Sequence, residues 1–218
     1  LHACIDNAIH SQAGVQLRLA CAELMEKQGH LEPTGQAKIT PAFNLPSAYV
    51  LHTVGPIISG ALSAKDCELL ASCYRSCLEP AKQHGIESVA FCCISTGEFR
   101  FPNQEAAEIA VQTVKAFLAD NPQMKVVFNV FKDVDLEIYR GLLGELIKSA
   151  VKFPQIFTIA KSIRNPTACL AISFGFSKSH SNSLPTSPPN PQGDCQPVSQ
   201  NPSANIQRVA ERCCRIYD

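Results

Sequence analysis

The sequence predicts an α/β fold with a sheet covered by helices on both faces. Three observations predict it. Ser88–Ile94 and Val126–Phe131 are nearly unbroken apolar runs, as expected of parallel strands buried on both sides. Segments with helical apolar periodicity alternate with them, which is the order of an α/β sheet. The composition then changes after about Lys152, so the packed region ends near that point.

The elements follow in order. Asn7–Gln28 repeats apolar residues at Ile9, Ala13, Leu17, Ala20, Cys21, Leu24 and Met25, close to a helical period. Asp6 is placed to cap its start and Gly29 its end. Short strands are expected at Ala37–Thr40 and Ala48–Val54, around a turn with Asn44 and Pro46. Asp66–His84 reads as a helix that Pro80 kinks or ends. The strand Ser88–Ile94 stops at the turn Ser95-Thr96-Gly97. Helices are expected at Asn103–Leu118 and Asp133–Ser149, on either side of the Val126–Phe131 strand. Residues 1–148 thus form one domain and 149–218 a tail. Ser177–Asn205, rich in Ser, Pro, Asn and Gln, is expected to be disordered or linker-like. Ile206–Tyr217 is long enough for a short helix but not for a core.

Composition narrows the function. Nineteen acidic side chains balance nineteen basic ones. A general nucleic-acid binder needs a basic excess to neutralise phosphates, and a polybasic membrane clamp needs one too. The longest apolar runs, such as Thr167–Phe176, are about ten residues, too short to span a bilayer. Eleven cysteines are an odd number and lie mostly inside apolar runs, unlike a secreted disulfide framework. They read as buried thiols of a reducing, cytoplasmic compartment. Leu1 opens the chain without an initiator Met or a signal segment, as if the sequence began inside a domain.

Two segments carry chemistry. His2-Ala3-Cys4-Ile5-Asp6-Asn7-Ala8-Ile9-His10 places an imidazole and a thiol two residues apart, close enough to share one Zn²⁺ from a loop. Two ligands do not complete a zinc site. Taken alone, Asp6 reads more readily as a helix cap than as a catalytic acid, and His10, four residues on, as its surface partner. The second segment is Ile94-Ser95-Thr96-Gly97-Glu98-Phe99-Arg100-Phe101-Pro102, after a buried strand and before a helix. Ligands of open α/β sheets bind at the carboxyl ends of strands, and such a turn offers amides and hydroxyls to an anion. It is also an ordinary β–α turn. His52 reads as a core or edge histidine. Phe131 is either core packing or a platform for a base.

Together these stretches resemble the macrodomain family. The matching segments are Asp6–His10 with Ala13-Gly14, Thr34-Gly35-Gln36-Ala37-Lys38-Ile39-Thr40, Leu45–Pro56 and the Cys93–Pro102 loop. Their order and spacing match over roughly Leu1–Gly144. His2-Ala3-Cys4 is similar to the zinc-containing branch of that family. The resemblance implies a three-layer α/β/α mixed sheet and a cleft for ADP-ribose. It also implies Zn²⁺ held by His2, Cys4 and a further cysteine. It places that cysteine, the first strands, an acidic residue that reads adenine and an asparagine-rich segment ahead of Leu1. The implied activity is removal of ADP-ribose from ADP-ribosylated proteins. Asp6 would hold a ribose hydroxyl or a water, beside Asn7. Ser95, Thr96 and Gly97 would hold the pyrophosphate, with Glu98 and Phe99 continuing the loop. Phe99 would pack on the distal ribose and Phe131 on adenine. A domain that reads ADP-ribose without turnover is the alternative. The tail resembles no second family.

Overall fold

The computed structural model describes residues 5–149, 157–160 and 169–173. The elements are α1 (Ile5–Ala13), α2 (Val15–Gln28), β1 (Ala37–Pro41), β2 (Tyr49–Thr53), α3 (Ala64–Gln83) and β3 (Ser88–Phe91). They continue with α4 (Asn103–Asp120), β4 (Lys125–Asn129), α5 (Asp133–Ser149), β5 (Phe157–Ala160) and β6 (Cys169–Ser173). The strands form one sheet in the order β1-β2-β6-β3-β4-β5. β1 runs antiparallel to β2, with Ala37 opposite Thr53 and Thr40 opposite Val50. Every other pairing is parallel. The mixed three-layer sheet is the expected architecture.

Alternation along β2 separates the two layers. Leu51 belongs to the larger core with Leu70, Tyr74, Phe91, Val114 and Phe128. Its neighbour Val50 joins Ile9, Ala13, Leu17 and Ala42. Successive side chains of a strand point to opposite faces, so α3, α4 and α5 cover one face and α1 and α2 the other. α1 rests on β6 and α2 on β1. Val89, Ala90 and Phe91 are fully buried, as the apolar run in β3 predicts.

Several expectations are corrected. The single helix Asn7–Gln28 is two helices, broken at Gly14, whose φ of 89° lies outside the helical region. The apolar period runs through the break because Ile9, Ala13 and Leu17 face the same core. Asp6 does not cap a helix: it lies inside the first turn of α1, after Ile5. Gly29 does close α2 in the left-handed conformation, its N–H donating to the Met25 carbonyl. β3 ends at Phe91, and Cys92–Ile94 leave the ladder to enter the next loop. Two short strands from the segment read as tail join the sheet, β6 at an interior position between β2 and β3. The expected Ser177–Asn205 linker and Ile206–Tyr217 helix lie outside the described residues.

Candidate functional site

β3 and β4 are adjacent and parallel, with Phe91 opposite Phe128, so the loops after them leave the sheet side by side. The loop after β3 is braced by its own backbone. The Phe101 N–H donates to the Ser95 carbonyl at 3.0 Å, and Arg100 N–H to Gly97 at 3.0 Å. The Thr96 hydroxyl donates to the Cys93 carbonyl at 3.1 Å. The Ile58 N–H donates to the Phe99 carbonyl at 2.9 Å, tying the segment after β2 to the same loop. Ser95 sits at φ 66° and Arg100 at φ 57°. Left-handed backbone at residues other than glycine costs about 1–3 kcal/mol and collects at ligand sites.

Two buried polar atoms here lack a hydrogen-bond partner among the described residues: Ser95 Oγ and Asn129 Oδ1. Asn129 is the last residue of β4. Phe131 follows, 41% exposed, which is high for a core phenylalanine and suits a stacking platform. Gly97 and Glu98 are exposed, Phe99 is half-buried and Thr96 is buried. The structure therefore places Ser95–Phe99 and Phe131 after the carboxyl ends of two adjacent parallel strands.

Asp6 and Asn7 lie in the first turn of α1, in the other layer, and their contacts among the described residues are with α1 and α2 rather than with the loop after β3. Ile5, at the start of α1, packs against the core that contains Ile94 and Phe101. Asp6 Oδ1 lies 3.6 Å from His10 Nε2, one helical turn on. That is an ion-pair distance and too long for a hydrogen bond. Burial pushes the Asp6 carboxyl up to about 6, against the pull of Arg18. Burial lowers the His10 imidazole, and Arg18 adds to the effect. The Asn7 carbonyl accepts from Ser11 Oγ at 2.8 Å. His2 and Cys4, the expected zinc ligands, lie outside the described residues. Among those described, no group of three or more His, Cys, Asp or Glu is placed to hold a metal.

Sequence reading missed the support beneath the loop. Asn103, the first residue of α4, donates to Asp135 Oδ1 at 2.6 Å. Asp135 is 3% exposed in the first turn of α5, so this bond ties together the two helices that follow the loops after β3 and β4. Burial raises the Cys93 thiol, and the Asp135 charge raises it further. Burial also holds Tyr74 and Tyr139 well above the ordinary phenol range. These groups lie far apart in sequence, and no local pattern marks them.

The first 110 residues match the Macro domain family model. A protein-ADP-ribose hydrolase of Treponema medium is 64% identical over 144 residues, covering 66% of this chain and 55% of that protein. One from Staphylococcus aureus strain MSSA476 is 57% identical over 141 residues, covering 64% and 53%. The chain thus spans about half the length of these curated relatives. A mutant Oceanobacillus iheyensis macrodomain with ADPR superposes with a TM-score of 0.63 at 42% identity, covering 66% of this chain and 78% of that one. A Trypanosoma brucei macrodomain in complex with ADP gives 0.58 at 34% identity, covering 65% and 57%. With half of its length matched by the family model and its sheet superposing on solved members, this chain belongs to the Macro domain family.

Proposed function

We propose that this chain is a catalytic domain that removes ADP-ribose from ADP-ribosylated proteins. The carrying observation is the carboxyl end that the adjacent strands β3 and β4 share. A left-handed Ser95 turn with buried Thr96 stands there beside an exposed Phe131. Amides and hydroxyls of Ser95, Thr96 and Gly97 suit a pyrophosphate, and Phe131 offers a face to adenine. Phe99 packs on the distal ribose, and exposed Glu98 and Arg100 set the charge at the loop rim. The orphaned Ser95 Oγ and Asn129 Oδ1 are supplied with partners by a polar ligand, since a buried polar atom left alone is costly. The names of the relatives, protein-ADP-ribose hydrolase, and the ADPR complex of a solved neighbour support this reading.

Asp6 carries the catalytic role. Its carboxyl, raised by burial to about 6, is charged at neutral pH but only moderately acidic, which suits a group that holds or activates a water. Asn7 lines the same helix start. Fixing the ribose between the loop and α1 supplies much of the rate by position. The donor chemistry of His2 and Cys4 fits zinc, which, when bound, polarises an oxygen ligand. They precede α1 directly, so metal content and the placement of Asp6 are linked. Zinc content by elemental analysis is expected to fall on C4S substitution; an unchanged metal content removes Cys4 from the ligand set. A cytoplasmic setting fits the thiols of Cys21, Cys67, Cys73 and Cys93, which are in no disulfide among the described residues. No helix among the described residues is long and apolar enough to cross a membrane.

The test separates chemistry from binding. D6A is expected to abolish release of ADP-ribose from an ADP-ribosylated protein while keeping most of the affinity for free ADP-ribose. Wild-type protein that binds ADP-ribose but releases none from any modified protein is a reader instead. Equal loss of binding and turnover in D6A removes the catalytic role of Asp6.

A further inference from the structure

Behind Asp6, the face of the sheet covered by α1 and α2 buries polar side chains that the ligand loop does not use. His52 of β2 is 5% exposed and Thr40 of β1 is 3% exposed. Thr40 pairs with Val50 across the ladder, so Thr40 and His52 are diagonal neighbours on one face. Thr40 Oγ1 lies 2.7 Å from His52 Nε2. Cys21 Sγ of α2 lies 3.9 Å from the same nitrogen. The His52 ring faces that of His10, with centroids 6.5 Å apart and planes tilted by 42°. His10 in turn stands 3.6 Å from Asp6. Four elements thus converge on one line of side chains ending at Asp6.

Packing alone does not call for this line. An aliphatic residue fills a buried strand position without the desolvation cost of an imidazole. Burial holds His52 neutral, its pKa lowered to about 3, so it acts by hydrogen bonding and shape and not by charge. Burial also keeps Cys21 a thiol, at about 11.

We propose that Thr40 and His52 are positioning residues: they fix the ring of His10 and, through it, the direction of the Asp6 carboxylate. The proposal rests on the catalytic reading of Asp6 given above. Side chains that orient a working group without touching substrate typically change activity; here one hydrogen bond, one ring contact and one electrostatic contact make up the line. The Thr40 hydroxyl bonds the nitrogen of His52, whose ring stands 6.5 Å from that of His10, so losing the hydroxyl loosens one restraint on the pair of imidazoles.

The test uses T40V, nearly the same shape without the hydroxyl, and T40S, which keeps it. Folding of both is monitored by thermal unfolding. With an ADP-ribosylated protein as substrate, T40V is expected to lower kcat about tenfold with KM unchanged, and T40S to recover it. In a H10A background T40V adds no further loss. Nitrogen-15 spectra of the histidine rings give a second readout independent of turnover: T40V shifts the His10 signals and T40S leaves them in place. A T40V protein with normal kcat, a loss that persists in the H10A background, or unmoved His10 signals in T40V overturns the proposal. If the wild-type protein shows no turnover, the function reading fails by itself and the ring spectra alone decide the positioning role.

Discussion

His52 holds its place in β2 as a neutral base, and that has a cost that depends on pH. Its folded pKa, about 3, lies below the ordinary histidine value near 6.5. Above about pH 6.5 both folded and unfolded chains carry the neutral ring, and the full stability is present. As pH falls, the unfolded chain takes up a proton that the folded chain refuses. Stability is then lost at about 1.4 kcal/mol per pH unit for that proton, until the folded pKa is reached. His10, also lowered, adds in the same direction. Denaturant titrations of wild type and H52L at pH 7, 6 and 5 check this. The variant is expected to lose about one proton of slope; equal slopes contradict the neutral buried ring. At this scale the sequence was partly legible. The spacing of Asp6 and His10 on a helix announces their contact. The meeting of Thr40, Cys21 and His52 depends on how β1, α2 and β2 pack, which no local pattern carries.

Among the elements, α3 has the best-defined start. Ser63 accepts from the Asp66 N–H, and the Asp66 carboxylate accepts from the Ser63 N–H at 3.0 Å. Replacing an N-cap serine by alanine costs about 1 kcal/mol, so S63A is expected to lower the unfolding free energy by that amount, seen as a lower urea midpoint at constant slope. An unchanged midpoint shows that tertiary packing alone fixes the helix start. The α1–α2 junction makes a second prediction. Gly14 sits at φ 89°, and an added Cβ meets the Asn44 side chain at 2.8 Å. That side chain can swing away, so the backbone conformation sets most of the cost. G14A is expected to destabilise by about 1–2 kcal/mol; a neutral result shows that α1 and α2 can join as one helix. Sequence periodicity could not find this junction, because the buried stripe continues across it. Gly29 and the bounds Asp133–Ser149 of α5 were legible, since a C-cap glycine and a terminal charge pattern act locally. The early end of β3 was not, because Cys92–Ile94 stay apolar, and Cys92 and Ile94 stay buried, after leaving the ladder.

For the whole molecule, the interior of the sheet depends on β6. Val50 pairs with Leu170, and Val89 with Cys169, so one short strand joins the halves that carry β2 and β3. α1, with Asp6, rests on that strand. A protein ending at Ser149 is therefore expected to unfold over a broad temperature range without a single cooperative transition, by calorimetry. A sharp transition at the wild-type temperature contradicts a structural role for β6. Composition hid this strand, since four apolar residues and a serine near a polar tail carry no sign of where they pair. The Ser95–Phe99 turn was legible because a buried strand followed by small polar residues and a helix is a local pattern. The most direct test of the binding account is a titration of ¹⁵N-labelled protein with ADP-ribose. Saturable shifts are expected at the amides of Ser95–Phe99 and Asn129–Phe131, with smaller ones at Asp6 and Asn7. A titration that leaves the loop after β3 unmoved, or that shifts only residues on another face, contradicts the site.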